Sequence, residues 1–541
     1  MTRRPGDAEP AGRAGLIAIG VSVACTFAVA VAGPSVMEPA LPGHPGQPPW
    51  SFGLHLSPYP AVGLTAAGLA AGTLGLVLVL RAIRGGWSVP ARAVLVAGLL
   101  AATALTLVPP FGSSDHLSYA AYGRMLVTGH DPYTTTPAQL AALGDPVARA
   151  VQDWFGAPSV YGPLATAIQA LASLAGGTSV RLTVFVLGLA NLAAFAGTAL
   201  LLNWMTRQNP EWQLRAALLW AANPLLLQVL VAGAHVDTQA VVFGVAAVAV
   251  QGGTGGRAAP PCAGGFGGSP PRVSTAALAG VLVGLGFAVK VTIALVGLGL
   301  ALAMVFRSWR QRERLWRCLL PALAGLAAGF AVTAGAAAAI GGPAMLRQSS
   351  QASDMVSIGS PWRVIRTTIH LAVTGTAATD IVKAGAVALA ILLAVLLIRG
   401  LPTPPGYAAV ACALALAWLF AWPYVLPWYD AFGWALLALV PLLAGGAAEA
   451  LCWLLLARTA ALGFGYLPAR QADVTLPAGL GWLQPVIRHG VTPAVLAAAT
   501  VWLVILMVRA PHEVGPDVRG NAGAADPETA VATASTTSAE R

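Results

Sequence analysis

The chain has 541 residues, of which 57% are hydrophobic and only 9% charged, with 30 Lys plus Arg against 20 Asp plus Glu and a formal net charge of +10. A soluble fold of this length needs more charged surface than so few ionisable groups can supply, so the composition excludes an ordinary soluble protein and points to a bilayer. The basic excess does not mark a nucleic-acid partner: most basic residues fall between apolar runs, as in 307–317, where the positive-inside rule accounts for them.

A helix crosses the hydrocarbon in about 20 residues. The first apolar run, residues 14–32, follows Arg3, Arg4 and Arg13, is longer than the apolar part of a signal peptide and precedes many more runs, so it reads as a retained first helix. The amino terminus is placed inside. Residues 34–58 are Pro-rich without Lys or Arg, as suits an outer loop, while Arg81, Arg84 and Arg92 flank the next inner turn. A third helix near 91–107 then delivers Asp115 outside. Residues 111–178 form a long extracytoplasmic loop in which Asp115, Asp131, Asp145 and Asp153 stand against Arg124 and Arg149. Its last part, 161–177, is short for a span and reads as a juxtamembrane helix.

Further spans are expected near 180–204, 214–231, 238–250, 276–289, 291–306 and 319–340, and, beyond a second outer loop at 341–375, near 377–398, 407–422, 431–445, 450–467 and 493–508. The expected fold class is all-α, a polytopic transmembrane helix bundle of about 12–14 spans. Its parts are N-terminal helices (1–110), the outer loop (111–178), a transmembrane core (179–510) and a tail (511–541). The Gly/Pro-rich cytoplasmic linker at 251–274 and the tail both read as disordered. Cys25, Cys262, Cys318, Cys412 and Cys452 form no CxxC pair, so neither a disulfide framework nor a zinc site is expected.

Threaded this way, the chain brings its scarce polar residues to one side: Asp115 and His116, then His235 and Asp237 in "AGAHVDTQ", then Lys290. The same side receives Arg347, Asp354, Arg363, Arg366 and His370, and finally Tyr424, Trp428, Tyr429 and Asp430 in "WPYVLPWYD". Taken singly, the aromatics read as interface anchors and the loop cations as solvated groups. Lys290, one of two lysines in the chain, interrupts an apolar stretch from 276 to 306, where an ammonium is costly unless it reaches water, an anion or a carboxylate. An exposed hairpin end would also accommodate it. Asp115 follows a span by a few residues, a position in which a partly desolvated carboxylate can act as a general base. No GxxxxGK[ST] phosphate loop is present, so a donor on the outer side is expected to be membrane-borne.

The ordered motifs "SDHLSYAAYGRM", "DPY", "YGPL", "NPLLLQVLVAGAHVD", "GFAVKVTIAL" and "PYVLPWYDAFGWALLAL" resemble the actinobacterial polyprenol-phosphomannose-dependent α-(1→6)-mannopyranosyltransferases of the GT-C superfamily, over residues 91–439. The resemblance implies a GT-C fold and transfer of mannose from polyprenyl-phosphate-mannose to a growing mannan of the lipomannan kind, on the outer side of the plasma membrane. It implies inversion, with Asp115 as base. Lys290, Arg363 and Arg366 are the expected donor-phosphate residues. His116, Tyr119, Arg124, Tyr161, His235, Asp237, Trp428 and Tyr429 are the expected sugar or acceptor contacts. Many relatives pair two carboxylates where this chain has Asp115-His116, so metal-independent chemistry without a cofactor is expected. Transfer of another polyprenyl-linked sugar such as arabinose, or transport of a lipid-linked sugar, are the competing readings.

Overall fold

An unpaired backbone amide is so costly in hydrocarbon that a chain of this composition must satisfy its polar groups within each segment, which favours helices. The computed structural model describes residues 8–252, 272–309, 315–373, 376–401, 405–440, 447–468 and 476–509. Among these the fold is all-α, with no strand and one isolated bridge, Ser35 to Glu38.

Helices α1 (Ala8–Ala32) and α2 (Pro58–Arg84) pack along one another, and α3 (Ala91–Thr106) leads to the first polar segment. That segment holds α4 (Asp115–Val127), α5 (Pro137–Ala142), α6 (Pro146–Arg149) and α7 (Pro163–Gly176). Its short helices begin where the sequence offers side-chain acceptors: Thr136 and Gln139 make a capping box on α5, and Asp145 caps α6. Next come α8 (Val180–Thr206), α9 (Pro210–Leu219) and α10 (Pro224–Leu226), capped by Ser179, Asn209 and Asn223. A π-helical turn, Leu227–Ala232, precedes α11 (Asp237–Gly252). Then follow α12 (Val273–Phe287), α13 (Ala294–Trp309), α14 (Leu315–Ser353), α15 (Pro361–Ile369), α16 (Ala377–Arg399) and α17 (Tyr407–Ala421). The last helices are α18 (Asp430–Leu437), α19 (Ala447–Gly465) and α20 (Thr492–Arg509).

Among the described residues, nine helical segments are long and apolar enough to cross a membrane, and α3, α7, α12 and α17 are shorter apolar helices. Large apolar side chains such as Leu100, Leu200, Val332, Ile340 and Ile391 are more than half exposed, as a lipid-facing surface requires. Some of the buried polar groups pair internally. Asp430 accepts hydrogen bonds from Arg458 Nε and Thr459 Oγ1, both at 2.8 Å, and the buried Arg215 donates to the carbonyls of Leu437 and Val440 at the end of α18. Asp430, expected with the polar cluster, therefore belongs to an ion pair in the core.

The expected second outer loop at 341–375 is only partly a loop. The chain breaks at Gly342, with φ 64° and ψ −175°, and helix resumes through Ser353. Pro343 is suited to open that renewed helix, and the following "AMLRQ" favours it. A third helical piece, α15, lies in the same stretch. The expected linker and tail fall almost wholly outside the described residues, as does Cys262.

One close approach sets the geometry of the polar end. Gly162 N donates to Val289 O at 3.1 Å and Leu164 N to Ala288 O at 3.0 Å, fastening the start of α7 to the turn that carries Lys290. A Cβ on Gly162 would lie 2.2 Å from the Ala288 carbonyl oxygen. Gly162→Ala is therefore expected to push the two turns apart at a cost of about 1–3 kcal/mol, seen as a lowered thermal transition of the detergent-solubilised protein.

Candidate active site

The helix ends that carry the polar motifs meet at one end of the bundle, around Asp115. Ser113 Oγ accepts from Asp115 N at 3.1 Å, and Asp115 opens α4, where the helix dipole favours a carboxylate. Trp154 Nε1 donates to Asp115 Oδ1 at 3.2 Å. Asp115 Oδ2 lies 3.6 Å from His235 Nδ1, just beyond hydrogen-bond reach. The Asp115 side chain is 13% exposed. Burial pushes its pKa up to about 7, and Asp153 adds to the shift; the Trp154 hydrogen bond and the Lys290 charge oppose it. The acid is thus held where it can exchange a proton near neutral pH.

Asp153 docks onto the same turn. Its carboxylate accepts from Ser114 Oγ at 2.8 Å and its backbone carbonyl from Ser118 Oγ at 3.1 Å. His235 is placed by Ala234, which adopts φ 52° after the π-helical turn, and by His235 N donating to Leu230 O at 3.0 Å. Its ring stacks on Trp428 with centroids 3.6 Å apart and planes 15° from parallel. Burial, reinforced by the Lys290 charge, keeps this imidazole neutral.

Lys290 is engaged on two sides. Its Nζ donates to Asp237 Oδ1 at 2.6 Å and sits 3.8 Å from the centre of the Tyr429 ring. Tyr161 OH donates to Tyr119 OH at 3.2 Å, with the two rings edge to face. Tyr466, from the end of α19, packs edge-on against Trp428. The structure thus brings together Asp115, Tyr119, Tyr161, His235, Asp237, Lys290, Trp428 and Tyr429.

Three sequence-selected cations and one histidine are placed differently. Arg124 lies nine residues along α4 from Asp115, about 13 Å down the axis, and its Nε donates to Asp145 at 2.7 Å. It braces α6 rather than facing the cluster. Arg363 and Arg366 lie on α15, and among the described residues no ion pair or hydrogen bond joins either to the Asp115 group. Arg363 lines a separate groove of about 290 Å³ with Thr367, Thr368 and His489. His116 is fully buried, neither ring nitrogen has a hydrogen-bond partner, and burial lowers its pKa to about 3, so it is a neutral core imidazole.

Conversely, Asp153 was legible only as loop charge, while Trp154 and Tyr466 carried no mark. The sole cue was the Asp-Trp pair in a polar segment, and its partner lies 39 residues away. Among the described residues, no three His, Cys, Asp or Glu side chains stand at metal-ligand spacing.

A family described as "Alpha-(1->6)-mannopyranosyltransferase, N-terminal domain" matches residues 14–307, just over half of the chain. The chain belongs to the α-(1→6)-mannopyranosyltransferase family. It is similar to alpha-(1->6)-mannopyranosyltransferase B of Corynebacterium glutamicum, with 29% identity over 212 residues, which is 39% of this chain and 34% of that protein. It is also similar to alpha-(1->6)-mannopyranosyltransferase Rv1459c of Mycobacterium tuberculosis, with 32% identity over 153 residues, 27% of this chain and 25% of that one. The alignments thus span about a third or less of these curated relatives. No solved structure matches the chain. The region matched by the mannopyranosyltransferase family contains Asp115, Asp153, Trp154, His235, Asp237 and Lys290, whereas Trp428, Tyr429 and Tyr466 lie beyond it.

Proposed function

We propose that the protein is an integral-membrane glycosyltransferase that moves mannose from polyprenyl-phosphate-mannose to a growing α-(1→6)-mannan of the lipomannan kind. The reaction takes place on the outer side of the plasma membrane. The observation that carries this reading is Asp115, a largely buried carboxylate with a pKa raised to about 7, at the membrane-segment end that also holds Lys290.

In this mechanism Asp115 takes the proton from an acceptor mannose hydroxyl. The hydroxyl oxygen attacks the anomeric carbon while the bond from that carbon to the phosphate oxygen breaks, inverting a β-linked donor into an α-glycoside. Polyprenyl phosphate leaves as an anion and needs cations rather than an acid. Lys290 spends one N–H on Asp237 and has two more for the phosphate. Arg363 and Arg366, on α15, are assigned in this reading to the approach of the lipid-linked donor. Tyr119, Tyr161, His235, Asp237, Trp428 and Tyr429 shape the sugar sites.

The test is transfer of radiolabel by purified protein in nanodiscs, with polyprenyl-phosphate-mannose and a short α-(1→6)-mannoside. Label on the acceptor, unaffected by chelator, is expected. Transfer from polyprenyl-phosphate-arabinose in its place would overturn the mannose assignment.

A further inference from the structure

Among the aromatic residues around Asp115, most ring faces are already occupied. Trp428 is only 3% exposed and stacked on His235; Tyr429 carries the Lys290 ammonium; Tyr119 is 2% exposed and packs perpendicular to Tyr161. Trp154 differs. It is part-exposed, and among the described residues no other aromatic ring or cation packs on it. Its backbone adopts φ 63°, a conformation that bulky side chains rarely accept and that persists only where the surroundings impose it.

Those surroundings are evident. Asp153 is held by Ser114 and Ser118, Trp154 O accepts from Ala157 N at 3.0 Å, Phe155 O accepts from Ala138 N at 2.8 Å, and Tyr122 OH donates to Ala157 O at 3.1 Å. The loop on both sides of the strained residue is thus anchored, and the result is an indole whose N–H ends on the carboxylate proposed as base.

From this we infer that Trp154 is the platform of the acceptor subsite: its ring receives the apolar face of the terminal acceptor pyranose, while its N–H orients Asp115 toward the hydroxyl that will attack. The inference rests on the transferase reading above and names the residue that binds and aligns its acceptor. Rigid aromatic faces suit sugar rings because the axial C–H side of a pyranose is apolar, and a platform bonded to the base sets substrate and base in one frame.

The test uses the full chain in nanodiscs with wild type, Trp154→Leu and Trp154→Phe, each checked for monodispersity and thermal transition. Two readouts are taken: donor-free binding of an α-(1→6)-mannotriose by saturation-transfer NMR titration, and steady-state label transfer. Trp154→Leu is expected to weaken trisaccharide binding and raise acceptor KM by about tenfold or more, with donor KM little changed. Trp154→Phe keeps the ring, so acceptor binding should stay within about threefold of wild type. Its kcat should fall and the acid limb of its pH profile should move to higher pH, because the hydrogen bond that favours ionised Asp115 is gone.

Equal trisaccharide binding in all three proteins would overturn the inference, as would absence of binding to wild type. Failure of the inference remains separable from failure of the transferase reading. Label transfer with Trp154-independent binding would leave the reaction standing and remove the platform. Trp154-dependent binding without transfer from the mannose donor would do the reverse.

Discussion

Asp115→Asn is expected to abolish most mannosyl transfer without unfolding the protein. General-base catalysis contributes typically about 10²–10⁴-fold, and Asn preserves size and hydrogen-bond acceptance from Trp154 while losing the capacity to take a proton. The measurement is initial rate at saturating donor beside a thermal melt. The sign of the pH effect follows from the raised pKa. A general base works ionised, so with Asp115 in the proposed role wild-type activity should climb as pH rises through about 7. Folding responds oppositely. The unfolded carboxyl loses its proton near 3.8 and the folded one near 7, so between those values the native state binds the extra proton, and the stabilisation it gives is lost as pH rises through about 7. At pH 8 the Asn variant should therefore melt no lower than wild type, separating a chemical defect from a structural one. Asp153→Asn removes a neighbouring negative charge and should draw the acid limb of the activity profile to lower pH.

Lys290→Met should cost both fold and function. It leaves the Asp237 carboxylate buried without its 2.6 Å partner, and breaking a buried ion pair in this way costs about 3–5 kcal/mol. Adding Asp237→Asn to Lys290→Met removes the stranded charge, so the double variant should regain much of the lost thermal stability. It should not regain transfer, because the leaving phosphate would still lack its nearest cation. The reading of Lys290 as a phosphate contact fails if the double variant turns over at the wild-type rate.

How far the site was visible before folding depends on what kind of signal each residue carries. Lys290 stood out because an isolated ammonium inside a thirty-residue apolar stretch is costly wherever it lands, and Asp115 because it heads a polar segment straight after a span. Asp237 and His235 followed from being the only ionisable groups in their turn. Arg124 looked equally eligible but was claimed by Asp145, 21 residues on, a pairing set by how α4 meets α6. His116 sits next to Asp115 in sequence, yet one step along a helix turns it into the core.

The sequence by itself determined the all-α class, many of the helical segments able to cross a bilayer and the concentration of scarce polar groups at their connections. Those features follow from local physics, because hydrocarbon forces each segment to satisfy its own backbone and penalises every stray charge. Only the tertiary structure decided that Trp154 bonds to Asp115, that His235 stacks on Trp428 from almost 200 residues away in the chain, and that Gly162 clamps the Lys290 turn. Such contacts depend on which loops share space once the helices have packed, and no periodicity or composition along the chain records that choice.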